Sequence, residues 1–354
     1  MKPGAGEKVT KNLWRTTCGS DSANGSGFSF HGRRARYKVP GMNRRDFLLR
    51  STLVVSAGLL PRGMRGAEAP ASPAKPAAAP MPPVTEFKAL RRGVGVFTGH
   101  GGTIGWLVNP DAVAVVDTQF PDTAAICLAG LPGRADRAID VVIDTHHHAD
   151  HTSGNPVFRP VAKRIVAHAN VPTLQRAAAE KAGTAAKQVY ADTTFEGSWH
   201  QELGDERVTA RYFGAGHTKG DIIVHFEQAN VVHLGDLLFN RVYPVIDRPG
   251  GASVRHWITV LETAMKTYPA DAIYTWGHAN PKFSVTGGSA DLAGFRDYLS
   301  ALVEHVQKEI TEGKTRDQIV TLDNLPGFPD FHAPLPNRLG GNLGVTYDEL
   351  TANS

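Results

Sequence analysis

Seven side chains in four blocks carry most of the chemistry this sequence can do. His146, His148, Asp150 and His151 lie in Thr145-His-His-His-Ala-Asp-His-Thr-Ser-Gly-Asn155; His217, Asp236 and His278 follow, each directly after a glycine. Five imidazoles and two carboxylates, with no sulfur among them, are what a two-metal nitrogen/oxygen site needs. His146 and His148 are two apart, so extended backbone aims both the same way. Asp150 and His151 need a turn to reach a second ion, and Thr152-Ser-Gly-Asn155 opens one.

Other histidines read differently. A single buried histidine is more often a satisfied core residue than a ligand, and it is seven residues in register that reverse those odds. His147 points to the opposite face from its neighbours and reads as a supporting or surface residue. His168, His225 and His233 lie in or beside strands without a glycine block and read as sheet residues. His100, in Gly99-His-Gly-Gly102, reads as a solvated loop tip, and Lys219 and Asp221 as residues that shape the loop after His217.

The elements that must position these blocks follow from periodicity. Val94–Phe97, Thr103–Val108 and Ala112–Asp117 read as short strands between turns, and Pro121–Leu131 as a helix. Ile139–Asp144, Val208–Phe213, Val231–Leu234 and Ala272–Thr275 read as strands, each delivering one of the four blocks to a loop. Ile222–Phe226 and Arg164–Ala167 are further strands; Pro172–Ala182, Ser253–Tyr268 and Ser289–Gly313 read as helices. Ligands on loops at strand ends, held by a rigid scaffold, are the expected placement for a site. The Pro/Gly-rich stretch Tyr243–Gly251 reads either as a pocket wall or as a plain surface connection.

The run His146-x-His148-x-Asp150-His151, with later His217, Asp236 and His278 and with Asp117 ending a Val-Ala-Val-Val strand, resembles the metallo-β-lactamase superfamily over about residues 88–315. The resemblance implies an α/β (α+β) fold, the αββα four-layer sandwich. It also implies a ligand set: His146, His148 and His217 on one metal, Asp150, His151 and His278 on the other, and Asp236 bridging. Two Zn2+ are the expected cofactors, with iron or mixed metal compatible with the same ligands. Two ions about 3.5–4 Å apart can hold a hydroxide between them and polarise a scissile bond. Asp150 is the residue expected to orient that water, and so the expected catalytic side chain.

Substrate is less legible. The first reading is a metal-dependent hydrolase of a small ester, thioester, lactone or amide. The second is a class B-like β-lactamase. Against it, Asp236 stands 19 residues after His217, where the common subgroup of those enzymes carries a cysteine, and Phe239 stands where they carry a lysine, although Arg241 is near. The third is a glyoxalase-II-like thioesterase: Gly235-Asp236-Leu-Leu-Phe239 is similar, but Asn240-Arg-Val-Tyr-Pro244 replaces the expected Gly-Cys-Gly-Arg. A non-enzymatic binding module would have lost ligands, and none is lost. Oxygen-reducing relatives replace a residue of the His-x-His pair, and a one-iron sulfur dioxygenase would leave the second ligand set idle.

Charge and organisation narrow the partners. The whole chain is +4, but the first 69 residues hold 13 Lys+Arg against 4 Asp+Glu, leaving 25 against 30, a net of −5, for residues 70–354. With no basic run interleaved with aromatics, no nucleic-acid partner is expected. Met42-Asn-Arg44-Arg45-Asp-Phe-Leu, an apolar run Ser51–Leu60 and Ala67-Glu-Ala69 resemble a twin-arginine signal, which implies the twin-arginine export machinery as a partner and a periplasmic location. The apolar run is too short for a spanning helix, so no stable membrane anchor is expected after cleavage. The expected organisation is 1–41 a non-native extension (Met42 fits a start better than Met1), 42–69 signal, 70–83 Pro/Ala-rich linker and 84–354 catalytic domain, acting on a small-molecule substrate. Cys127 is the only cysteine beyond the leader, so no disulfide is possible there, and its apolar run reads as core.

Overall fold

Apolar strands too short to bury themselves singly are stacked here into two sheets. The structure, a computed structural model, describes residues 83–352; the expected extension, signal and nearly all of the linker lie outside the described residues. The first sheet has seven strands in sequential order: β1 (Glu86–Ala89), β2 (Val94–Thr98), β3 (Ile104–Val108), β4 (Val113–Val116), β5 (Val141–Asp144), β6 (Ile165–His168) and β7 (Thr193–Phe195). β1 to β4 run antiparallel, then β4 to β7 run parallel. β4, β5 and β6 are buried at every position, which is why they read as unbroken apolar runs rather than alternating ones.

The second sheet begins with β8 (Ser198–Leu203), β9 (Glu206–Arg211), β10 (Ile223–Phe226) and β11 (Val231–His233). β12 (Phe239–Asn240) pairs only with β14 (His278–Ala279), while β13 (Ile273–Thr275) and β15 (Thr286–Gly287) complete the sheet in the order β15-β13-β11-β10-β9-β8. The helices are α1 (Pro121–Gly130), α2 (Ala149–Thr152), α3 (Asn155–Phe158), α4 (Val171–Lys181), α5 (Val254–Thr267), α6 (Ser289–Thr311), α7 (Arg316–Ile319) and α8 (Arg338–Thr351).

Three apolar clusters define four layers. Between the sheets, Leu107, Val116, Ile143 and Val166 meet Val208, Val224, Phe226 and Val231. Outside the first sheet, Trp106, Val115 and Val142 pack with Ala124 and Cys127 of α1 and Phe158 of α3. Outside the second, Val232 and Tyr274 pack with Trp257 and Leu261 of α5 and Phe295 and Leu299 of α6. This is the αββα sandwich, each face of each sheet covered once. Ser253 starts α5 by accepting a hydrogen bond from His256 N. A Leu299→Ala cavity in the third cluster would cost about 2–5 kcal/mol. Among the described residues no helix is long and apolar enough to cross a membrane.

Two regions carry elements that periodicity does not announce. β8 is polar in sequence because it is an edge strand with one face outward. α8 holds Gly340, Gly341 and Gly344, which lower its helical propensity. A Cβ at Gly340 would stand 2.6 Å from the Val320 carbonyl oxygen, so glycine lets α8 pack closely beyond α7.

Candidate metal centre

All seven expected ligands come together at one edge of the sandwich, where four strands end. β5 delivers His146, His148, Asp150 and His151 through a loop into α2; β9 leads to His217, β11 to Asp236, and β13 to His278. The first cluster is His146, His148, His217 and Asp236; the second is Asp150, His151 and His278; within each, the ligand atoms lie within 4.8 Å of one another.

In the first cluster, His148 Nδ1 is 3.2 Å from His146 Nε2 and 2.9 Å from His217 Nε2. Asp236 Oδ2 stands 3.8 Å from His146 Nε2 and 3.5 Å from His217 Nε2. The outward nitrogens decide which tautomer each ring adopts. His217 Nδ1 lies 2.7 Å from the Val245 carbonyl oxygen, which can only accept, so this nitrogen donates and Nε2 keeps its lone pair inward. Burial lowers the pKa of His146 well below its usual value and, helped by the neighbouring His148, that of His217 to about 3. These rings are neutral near pH 7, as ligands must be.

The second cluster is richer in negative charge. His278 Nε2 is 3.1 Å from Asp150 Oδ2 and 3.4 Å from Asp236 Oδ2; His151 Nε2 is 3.6 Å from Asp150 Oδ2 and 3.2 Å from Asp236 Oδ1. Asp236 therefore presents one oxygen to both clusters and the other to His151. Behind it, Asp117 accepts at Oδ2 from His151 Nδ1 at 2.8 Å and holds Thr145 N and Oγ1, each at 2.8 Å. Asp117 is fully buried and adopts φ +64°. Burial would lower the pKa of His151 and His278, but Asp236 and Asp150 outweigh it for both, and Asp117 adds to the pull on His151. His151 rises well above its usual value and His278 to about 10. Burial would raise Asp150 and Asp236, yet the adjacent imidazoles hold both below the usual carboxylate range. The pull that holds these protons is the pull that would hold a divalent cation.

Close approach explains the glycines. A Cβ at Gly277 would overlap Asp236 Oδ1, and one at Gly102 would overlap the His151 ring. The loop carrying His100 thus serves through its backbone, with Gly102 N donating to Asp150 O at 3.0 Å. His100 itself is exposed, near Asp122 and tilted against the Phe120 ring.

The remaining histidines take other roles. His168 stacks on Tyr212 and His225 lies edge-on to Tyr268. His233 bonds Thr275 Oγ1 at 2.7 Å, and its Nε2 lies 3.7 Å from Asp117. Asp221, whose pKa burial raises to about 7 against the hydrogen bonds from Thr218, shapes the His217 loop. His147 is buried, 3.3 Å from Asp247. Asp247, Val245 and His332 are site residues that the sequence reading does not single out. Asp247 and Val245 fall in the Pro/Gly-rich stretch flagged as an alternative pocket wall; His332 carries no signal in the sequence.

A cavity of about 410 Å³ opens above the centre, with His148, Asp150, Asp236 and His278 on its floor. Phe239, Val242, Tyr243 and Val245 form one wall; Pro281, His332, Pro334 and Leu335 form another. Phe239 stacks on His278 with ring centroids 5.4 Å apart.

The sandwich and the strand-end cluster of histidines and aspartates define a class: an αββα fold carrying nitrogen and oxygen donors that could hold metal. The sequence pattern of the metallo-β-lactamase superfamily matches residues 97–278, and the chain belongs to that superfamily. A metallo-β-lactamase from Pontibacter korlensis superposes with a TM-score of 0.50 at 18% identity, covering 61% of this chain and 99% of that one. The stereoselective inverting sec-alkylsulfatase Pisa1 from Pseudomonas sp. superposes with a TM-score of 0.61 at 14% identity, covering 76% of this chain and 50% of that one. The chain thus accounts for half the length of the sulfatase, and likeness at these identities speaks for the fold alone. No curated protein matches the chain in sequence.

Proposed function

We propose that this chain is an exported, metal-dependent hydrolase, a two-zinc enzyme acting on a small, largely uncharged ester, thioester, lactone or amide. The observation that carries the reading is the pair of donor sets joined by Asp236 on the floor of an open cavity. The residues present fit a pair of cations. His151 Nε2 and Asp236 Oδ1 are buried 3.2 Å apart, and among the described residues neither has a well-aligned hydrogen-bond partner, a deficit that a cation between them would fill. His146, His148 and His217 would hold one ion, Asp150, His151 and His278 the other, with Asp236 between them. When bound, such ions supply Lewis acidity and a water of lowered pKa.

The chain's own residues set the geometry. Asp150, with 29% of its side chain exposed, faces the cavity and can accept a hydrogen bond from the attacking water, aiming its lone pair. The apolar walls exclude bulk water and give an apolar substituent a surface to bury. Among the described residues no lysine or arginine lines this cavity. Arg241, the nearest substitute for a lactam-binding lysine, lies instead over the Phe283 ring and lines a separate hollow with Gly294 and Asp297. That counts against a substrate held by its carboxylate or sulfate, and so against the β-lactamase reading.

Export through the twin-arginine machinery to the periplasm rests on Arg44-Arg45 and the apolar run behind them. The test of activity is a screen of the purified mature chain, with and without a strong chelator, over lactones, thioesters, carboxylic esters, β-lactams and sulfate esters. Turnover of a neutral acyl substrate that the chelator abolishes is expected. Turnover that survives complete metal removal would end the reading; preference for a sulfate ester or lactam would correct the substrate class.

A further inference from the structure

We propose that Asp247 is a positioning residue that fixes the ligating tautomer of His148. The loop that carries it, residues 243–252, then braces the three-histidine half of the site. The proposal rests on His148 being a metal ligand and goes beyond that reading by assigning what makes it one.

His148 presents Nδ1 to the cluster, 2.9 Å from His217 Nε2 and 3.2 Å from His146 Nε2. Its other nitrogen, Nε2, lies 3.0 Å from Asp247 Oδ2. A carboxylate only accepts, so Nε2 carries the proton and Nδ1 keeps the lone pair that a cation needs. Asp247 is itself held. Gly250 N donates to its Oδ1 at 3.0 Å, and Ala252 N donates to its carbonyl oxygen at 2.9 Å. The same loop supplies the Val245 carbonyl oxygen that orients His217. One connection thus fixes two of the three rings, and its Tyr243 and Val245 also line the cavity. His147, which shares Asp247 Oδ2 at 3.3 Å, steadies the carboxylate from the side. Outer partners of this kind hold a ligand's tautomer and angle, and losing one weakens metal binding by about 10–100-fold.

The test is zinc titration against a chromophoric chelator for the wild-type chain, Asp247→Asn and Asp247→Ala, with nitrogen NMR of the histidine rings in the zinc-loaded wild type. Asn keeps the size of Asp and can still accept from Gly250, but it then turns its NH2 toward His148. Nε2 must accept, and the proton moves to Nδ1, facing the metal. Asp247→Asn should therefore weaken one of the two zinc sites by about 10–100-fold, at least as much as Asp247→Ala. If the carboxylate only packs its loop, Asn will be near wild type while Ala is weak, and the proposal falls. Loss of a third zinc equivalent in the variants would also overturn it, since His147, His148 and Asp247 would then be an ion site of their own. The NMR needs no variant: His148 protonated at Nε2 is expected, and protonation at Nδ1 refutes the proposal even if both variants misfold. A wild-type chain that binds no zinc sinks the metal reading itself, a different result from two sites insensitive to Asp247.

Discussion

The two halves of the candidate metal centre lie side by side, share Asp236 and are built on opposite electrostatic plans. The half made by His146, His148 and His217 is mostly buried, its His146 and His217 rings uncharged near pH 7, with its outer nitrogens fixed by Thr145, Asp247 and Val245. The half made by Asp150, His151 and His278 has only two imidazoles, is partly open to the cavity through Asp150 and His278, and is backed by the buried Asp117 carboxylate. In the first half burial keeps His146 and His217 uncharged; the second concentrates negative charge and holds protons until a cation displaces them. Affinity and occupancy of the two should therefore respond differently to mutation and to pH.

The largest expected effect comes from the residue that joins them. Asp236→Ala removes a ligand from both halves and leaves two cations less neutralised, in a partly dry site where their repulsion is worth several kcal/mol. The second half, poorer in imidazole, should empty first. Zinc should fall toward one per chain by mass spectrometry, and turnover should drop by orders of magnitude. Two ions per chain with near-normal turnover would show that Asp236 does not join the halves. Asp117→Ala should come next. It leaves His151 Nδ1 and Thr145 without their buried acceptor, an expected loss of about 3–5 kcal/mol of stability in urea unfolding, together with weaker zinc in the second half. Equal weakening of both halves would remove the distinction drawn between them.

Proton linkage gives a sharper separation. Near pH 7 the metal-free second half carries protons on His151, raised well above the usual imidazole value, and on His278, raised to about 10. Zinc entering there should release about two protons, whereas His146 and His217 in the other half, both lowered, have none to release near pH 7. Affinity in the second half should thus weaken steadily as pH falls from about 10. Calorimetry in buffers of different ionisation enthalpy measures both numbers. The metal-free chain follows the opposite sign: the raised pKa of His278 stabilises the fold fully below 6.5, and that contribution is lost as pH climbs through about 10. Equal proton release from both halves would contradict the contrast.

How much of this was legible beforehand differs between the same two halves. The seven donor residues announce themselves in both, because a His-x-His-x-Asp-His run and three glycine-led blocks have few other uses, and the fold brings them together. Asp117 was legible too, through its resemblance to the structural aspartate that precedes the metal loop in the superfamily, although 28 residues separate it from Thr145. Asp247 was not: its partner His148 lies 99 residues away, and the sequence shows only a Pro/Gly-rich connection with two possible meanings. In the fold, β4 and β5 were legible because burial on both faces leaves unbroken apolar runs. β8 was hidden by its position at a sheet edge and α8 by its glycines, and in both the tertiary contact that justifies the choice of residue is invisible locally.

The smallest expected effect tests whether the open side of the centre reads substrate. His332 is pinned to the loop after Asp236 by backbone bonds, its N–H donating to Arg241 O at 2.8 Å and its carbonyl accepting from Tyr243 N at 3.0 Å. This draws Pro334 and Leu335 over the cavity, and the segment lies beyond the residues that match the superfamily pattern. Leu335 is 55% exposed, an apolar side chain at the cavity mouth with little to hold in the fold. Leu335→Ala should therefore change stability by no more than about 0.5 kcal/mol and leave both zinc affinities alone. It should raise KM for an apolar acyl ester by a factor of several, about 1 kcal/mol of lost contact, while a short acetyl ester is barely affected. An equal change for both esters would mean that the wall is a bystander, and substrate choice would then rest with the half of the site that holds Asp150 and His278.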